Sequence, residues 1–459
     1  MDRIDLSEYT CLFSGYTELR IQENKSLAIA FLKGNNVTNV KSASSGVSAR
    51  VYKNGAWGFA SNSQRTDEAI RFVIDSATKN ALFLDSREQK MINHFPATSY
   101  SSTNDFSTLK PQLSQGQLSD FLKEIDEYIL KKYSELSSRS VSLNCLKMEK
   151  NLITADGSYA YSMVPLSRIA INLTIEKDGE PVNLGQLYGG LGEFEDQFTS
   201  PSSFFPKIDQ LYEHLMRKKE GVFAEAGQKT CILSAELAGI LAHEAIGHTT
   251  EADLVLGGSI ASKYLNKSIA SPFITLVDFA HTAFGKTCPV PVYVDDEGTK
   301  AEDSVIIEKG ILKSYLHNKE SAHHFNVEPT GNARAYRFSD EPLIRMRNTA
   351  ILPGHNHLEE MIASIDDGYY LLQTNNGQAD STSEFMFGVT LGYEIKKGKL
   401  GKAIKDTTIS GVAVNVLKTV DMVSKEFKWL SGGMCGKKQL IPVGLGGPAI
   451  KCQIKIGGR

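Results

Sequence analysis

Strand-forming runs joined by tight-turn dipeptides are what most constrain the fold of this chain. LAIAFLKG (27–34) and NVTNVKS (36–42) are short β-type runs. GVSARVYK and AWGFAS flank Asn54-Gly55, a dipeptide that accepts the positive φ angles of a two-residue hairpin turn. Residues 139–176 repeat the pattern, with a turn at Asp156-Gly157. Helical spacing interrupts these runs. Ile70, Val73, Ile74, Ala77 and Ala81 recur at i, i+3, i+4 within 66–82, and Thr66 can cap them. A second apolar stripe runs through Leu118, Phe121, Leu122, Ile125 and Ile129, and further helices are expected near 206–219, 357–365 and 412–424. The polar stretch 97–115 reads as a long loop. Strict βαβ alternation is missing, so the expected fold class is α+β with mostly antiparallel sheets and packed helices. The character changes across 220–228, which sets two expected domains, 1–225 and 226–459. In the second, KTCIL leads into a helix starting near Ser234.

Composition excludes several classes. Lys+Arg 50 against Asp+Glu 53 gives a net charge of −3 and no basic stripe, which argues against nucleic acid as a direct partner. Six cysteines in 459 residues, with no CxxC pair, do not make a secreted disulfide scaffold. The longest apolar stretch, near Leu237–Ile246, is broken by His243 and Glu244 and is too short to span a bilayer. No signal peptide is evident in MDRIDLSEYTCLFSG, so a soluble, cytoplasmic protein with no membrane partner is expected.

The chemistry concentrates in LAGILAHEAIGHTTEAD (237–253). Two imidazoles, His243 and His248, flank the carboxylate of Glu244 on an expected helix. The familiar zinc helix spaces its histidines four apart, on one face. Residues five apart point about 140° away from each other on a regular helix. Either the helix ends near Gly247 or a π-turn absorbs the extra residue. Glycine at 247 is the residue that would permit this. A catalytic zinc takes three protein ligands. Glu251, Asp253 and a distant thiolate are the candidates for the third, with Cys435 in GGMCG the best placed of the distant ones. The other cysteines read as small buried hydrophobes.

HEAIGHTTEAD, VDDEGT (294–299), PTGNARA (329–335), RMRNT (345–349), and MCGKKQ followed by PVGLGGP resemble the TldD/PmbA family of zinc metallopeptidases, and SSGVSARVYKNGAWGFAS is similar to that family's N-terminal hairpin. The resemblance runs from about residue 14 to the C-terminus. It implies the metal-bearing, TldD-type branch: Zn²⁺ held by His243, His248 and Cys435, with Glu244 as general base; Glu251 and Asp253 would then stand as supports behind the ligands. It further implies action on short or unfolded peptides in an enclosed site, with the first domain controlling access and dimer contacts. The partner would be a second copy or a metal-free sister subunit. The alternative is a non-catalytic, zinc-stabilised regulatory subunit of the gyrase-modulator type.

Other blocks carry weaker expectations. Asn332 and Arg334 could offer donors to a peptide carboxylate, or could sit in a structural turn. Asp295-Asp296-Glu297-Gly298 has the carboxylates for a hard cation, but a Gly-ended acidic turn reads rather as a solvated loop. His323-His324 reads as a surface pair near Lys319. GLGG (444–447) lacks the strand–GxGxxG–helix context of a nucleotide site.

Overall fold

A computed structural model describes residues 4–85, 95 and 99–457. The N-terminal half is built on one seven-stranded sheet. Its strands are β1 (Tyr16–Leu32), β2 (Asn35–Lys53), β3 (Ala56–Asn62), β4 (Ser101–Asp105), β5 (Ser138–Thr154), β6 (Tyr159–Lys177) and β7 (Glu180–Leu191). The order is β3-β2-β1-β5-β6-β4, with β7 also on β6. The Asn54-Gly55 turn forms as the sequence predicts. Both residues have positive φ, 53° and 97°, and Lys53 faces Ala56 across the hairpin.

Helix Asp67–Asp85 buries Ile70, Val73, Ile74 and Ala77 against Leu19, Ile21 and Val47. Helix Gln115–Lys132 starts on a capping box between Ser114 and Gln117 and covers Ile29, Phe31, Val141 and Ile169 together with helix Phe205–Lys219. The expected loop over 97–115 is only partly a loop. Ser101–Asp105 adds to the sheet in parallel with Tyr159–Met163. Its polar alternation carried no hydrophobic signal, because this edge strand is largely solvated. Residues 97–98 lie outside the described residues.

The C-terminal half holds two further sheets. One runs, in order, through 367–379, 227–233, 450–456, 407–412, 384–396 and 399–403. The other runs through 311–312, 304–308, 276–279, 348–351, 444–447 and 428–429. Pairing is mostly antiparallel. The exceptions are 368–371 on 230–233, 348–350 on 444–446, and β4 on β6. A helix from Ala235 lies between these two sheets. Leu237, Leu241, Ala245 and Ile246 share one core with Cys231 and Leu233 of the first and Leu276, Ile306 and Ile351 of the second.

The GLGG block is a buried strand beneath this helix. A Cβ on Gly239 would stand 2.9 Å from Gly446 N, so paired glycines set the close approach of helix to strand. The two halves are joined by packing: Leu391, Tyr393 and Ala403 fill the core under helix Phe205–Lys219. No helix among the described residues is long and apolar enough to cross a membrane.

Candidate metal centre

Ser234 caps the helix by accepting from Leu237 N–H, and regular turns run to Leu241. Over Ala242–Gly247 the helix widens into a π-turn, and His248 N–H donates to the carbonyl of His243, five residues back. The i, i+5 spacing excludes regular turns, and of the two ways out, ending the helix or widening it, the structure takes the wider turn, which brings both imidazoles to one side. Their ring centroids lie 5.1 Å apart at 78°.

Side chains take up the carbonyls around the widened turn. Ser383 Oγ donates to Ala245 O (2.9 Å), Thr249 Oγ1 to Ile246 O (2.9 Å) and Thr250 Oγ1 to Gly247 O (2.8 Å). Gly247 contributes space rather than backbone freedom. Its φ is −54°, inside the helical region, but a Cβ there would stand 2.0 Å from Met346 Sδ.

Cys435 arrives on the hairpin formed by Met434–Lys437 and Gln439–Pro442. Its Sγ is 3.2 Å from His248 Nε2, and the donor atoms of His243, His248 and Cys435 all lie within 4.8 Å of one another. His243 and Cys435 are buried, while His248 and Glu244 keep partial exposure. Both ring nitrogens of His243 are buried with no hydrogen-bond partner. Orphaned buried donors of this kind are rare without a reason, and two imidazoles with a thiolate suit a borderline-soft cation. The residues present therefore fit a metal.

Burial alone would push the Cys435 thiol up, but His243 and His248 beside it hold its pKa down to about 4. Burial lowers the pKa of His248, yet Glu251 and Cys435 outweigh it and raise it well above the ordinary value.

The surrounding groups orient these three. Glu251 Oε2 lies 3.2 Å from His248 Nδ1, which leaves Nε2 facing Cys435. Lys437 Nζ closes the chain at 2.9 Å from Glu251 and 2.7 Å from Asp253. Burial pushes the Glu251 carboxyl up, but His248 and Lys437 bring it below the usual range. Glu244 Oε2 is 3.8 Å from His248 Nε2. Glu251 and Asp253 thus sit behind the histidine rather than beside the thiolate.

Three expectations change. Asn332 is wholly buried and donates to Asp278 Oδ2 and Arg345 O. Arg334 spends its terminal nitrogens on Met346 O and Pro442 O. Neither amide nor guanidinium is left for a peptide; both take the structural-turn role. The acidic turn is not solvated. Asp295, Asp296 and Glu297 are 3%, 6% and 0% exposed; Asp296 faces Arg20 and Lys150 and Glu297 faces Arg50 from the N-terminal sheet, while Asp295 accepts from the backbone N–H groups of Glu297, Thr299 and Ala333. Lys319 is buried on Asp156 and Tyr16, whereas His323 and His324 are exposed as expected.

Sequence reasoning also passed over Lys437 and Arg345. Arg345 is fully buried and donates to the carbonyls of Cys435, Lys437 and Gln439. The CGKK and RMRNT blocks held both residues, but nothing local linked them.

Comparison with known proteins gives the family and the fold. Residues 226–458 match the family model described as PmbA/TldA metallopeptidase C-terminal domain, and residues 17–81 match PmbA/TldA metallopeptidase domain 1. A metalloprotease of Methanocaldococcus jannaschii is 32% identical over 95% of both chains. A protein of Saccharolobus solfataricus named a zinc metalloprotease TldD homolog is 30% identical over 90% of both. The crystal structure of TldE from Thermococcus kodakarensis superposes with a TM-score of 0.75 at 17% identity, covering 99% of each chain, which speaks to the fold. The family models and the near full-length relatives make this chain a member of the PmbA/TldD family of metallopeptidases.

Proposed function

We propose that this protein is a zinc-dependent peptidase that hydrolyses short or unfolded peptides, with His243, His248 and Cys435 as the metal ligands and Glu244 as the general base. The observation that carries the reading is the convergence of three donor atoms within 4.8 Å around a buried imidazole that has no other partner. Zinc, when bound, acts as a Lewis acid on the scissile carbonyl and lowers the pKa of water toward about 7. The chain's own residues do the rest. Glu251, tied to Lys437, fixes the His248 ring so that Nε2 faces inward. Glu244 stands on the accessible side of the cluster. It takes the proton of the attacking water and returns it to the leaving amine. Three protein ligands leave the fourth position for water and substrate, as in catalytic rather than structural zinc sites. We place the protein in the cytoplasm, assembled as a dimer with itself or with a metal-free sister subunit.

Elemental analysis and peptide hydrolysis together test this. Wild type should carry about one zinc per chain, and His243→Ala and Cys435→Ala should lose it. Glu244→Gln should keep its zinc and its melting temperature while hydrolysis of a short unstructured peptide falls by about 10²–10⁴-fold. Full zinc retention in Cys435→Ala would remove the thiolate from the ligand set. Undiminished hydrolysis by Glu244→Gln would remove Glu244 as the base.

A further inference from the structure

Most of the helix that carries the two histidines is closed off from solvent. Between Ala235 and Thr250 only Ala235, Glu236, Ile240, Glu244 and His248 keep partial exposure. The last four are spaced four residues apart, so they form a row along one face of the helix. One end of the row is Glu244 with His248, which the reaction needs open to peptide and water. The other end is Glu236. Eight residues at a rise of about 1.5 Å each set Glu236 about 12 Å from Glu244 along the helix. Ile240, between them, packs against the apolar cluster of Cys435, Ile441 and Val443. An extended peptide covers about 3.3–3.6 Å per residue, so the row matches about three to four residues of substrate.

Glu236 is a carboxylate without a cation. Among the described residues its one hydrogen bond is a long one, from Thr374 N–H to Oε1 at 3.3 Å, and no lysine, arginine or histidine pairs with it. Burial pushes the carboxyl up to about 7, against the pull of that bond. Other carboxyls that burial raises in this chain are answered from within. Arg50 stands 3.3 Å from Glu18, and Asp295 accepts from the backbone N–H groups of Glu297, Thr299 and Ala333. A carboxylate in the first turn of a helix favours the helix dipole, but a solvated side chain does so without losing water. Desolvation without a counter-charge is costly. Glu236 stays partly open, and it opens on the row that leads to Glu244.

We propose that Glu236 is a specificity-determining residue that binds a cationic group of the peptide substrate, about three to four residues from the scissile bond. The inference rests on the peptidase reading and deepens it: the preferred substrates carry an ammonium or guanidinium at that distance. The cation is either a lysine or arginine side chain or the peptide's own amino terminus, and the two are separable. Glu236 stands about two helical turns before His243, so its replacement changes which bond is cut without changing the metal.

The test uses the full-length, zinc-loaded protein, with mass spectrometry to map the bond it cuts. The substrates are unstructured peptides of Ala, Ser and Gly in three forms. One is blocked at both ends and neutral, one is blocked at both ends and carries a single internal lysine, and one is neutral inside with a free amino terminus. In a cation-bearing form the cuts should fall at one fixed distance, about three to four residues from the charge. Its kcat/KM should exceed that of the neutral form by about 10- to 100-fold, the worth of a charged hydrogen bond. Glu236→Gln should erase both the ratio and the fixed distance, with zinc content and melting temperature kept. Glu236→Lys should transfer the preference to a peptide with glutamate in place of the lysine, a swap that a structural role would not produce. Should Glu236→Lys not fold, the glutamine variant decides. Gain by the lysine form alone assigns the site to side chains, gain by the free-amine form alone to chain ends, and gain by both to any cation. Equal rates for all three forms, or a preference that survives Glu236→Gln, overturns the proposal while leaving the peptidase reading intact. A loss of melting temperature on Glu236→Gln with an unchanged preference makes Glu236 structural, and also overturns it. Hydrolysis of no form by the zinc-loaded protein would bring down the peptidase reading and this proposal together.

Discussion

Gly247 shows how one residue's size can set the geometry of the centre. The π-turn places its Cα against the sulfur of Met346, which is fully buried. Gly247→Ala puts a methyl 2.0 Å from that sulfur, inside contact distance. Overpacking of this kind costs about 1–3 kcal/mol. Denaturant titration should find Gly247→Ala destabilised by about that amount, with zinc retention reduced because the turn carries both histidines. The pair Gly247→Ala/Met346→Ala should lose less than the sum of the single changes, because the smaller side chain makes room for the methyl. Strict additivity would show that the contact does not govern the turn.

At the scale of elements, the centre is a helix and a hairpin brought face to face. The helix contributes His243, Glu244 and His248; the hairpin contributes only Cys435. Two cations fasten the hairpin in place. Arg345 holds its backbone through three carbonyls, and Lys437 bridges it to Glu251 and Asp253 at the end of the π-turn. Lys437→Met removes the second fastening and leaves Glu251, which is 0% exposed, facing His248 alone. Groups that orient metal-binding histidines typically contribute 10–100-fold to affinity, so a chelator competition should show zinc bound about that much more weakly. An unchanged affinity would mean that Arg345 alone fixes the hairpin.

The molecule as a whole is held together by a buried ionic layer between its halves. From the N-terminal sheet come Glu18, Arg20, Arg50 and Lys150; from the C-terminal half come Asp296 and Glu297, with Glu341 meeting Arg50 at the exposed rim. Burial pushes the Glu18 carboxyl up to about 8, against the pull of Arg50 and with the push of Glu297. One of its oxygens has no partner. Since its folded pKa lies above the ordinary 4.5, the native state binds the extra proton between those values. The stability this proton provides is whole below about pH 4.5 and is lost as pH rises through about 8. Glu18→Gln carries a permanent hydrogen in that place. The stability of wild type relative to Glu18→Gln should therefore fall between pH 5 and pH 8, as read from denaturant midpoints at both. A difference that is constant with pH would show that Glu18 is ionised throughout.

The sequence by itself determined what depends on neighbours along the chain. The Asn54-Gly55 turn, the apolar stripes of the Asp67–Asp85 and Gln115–Lys132 helices and the α+β character are all local regularities. So is the demand that regular helical turns give way between His243 and His248, since residue spacing and helix pitch cannot aim both rings at one point from an unbroken helix; which of the two ways out is taken, ending or widening, is not local. Tertiary structure decided what depends on which surfaces meet. Cys435 and His248 are 187 residues apart, and only the packed hairpin sets them at 3.2 Å. Asp295, Asp296 and Glu297 look like a solvated turn because an acidic tripeptide ending in glycine usually is one. Here the cations that allow Asp296 and Glu297 to be buried are Arg20, Arg50 and Lys150, more than a hundred residues earlier, and backbone N–H groups hold Asp295. Asn332 and Arg334 were open to a ligand until the fold supplied internal acceptors.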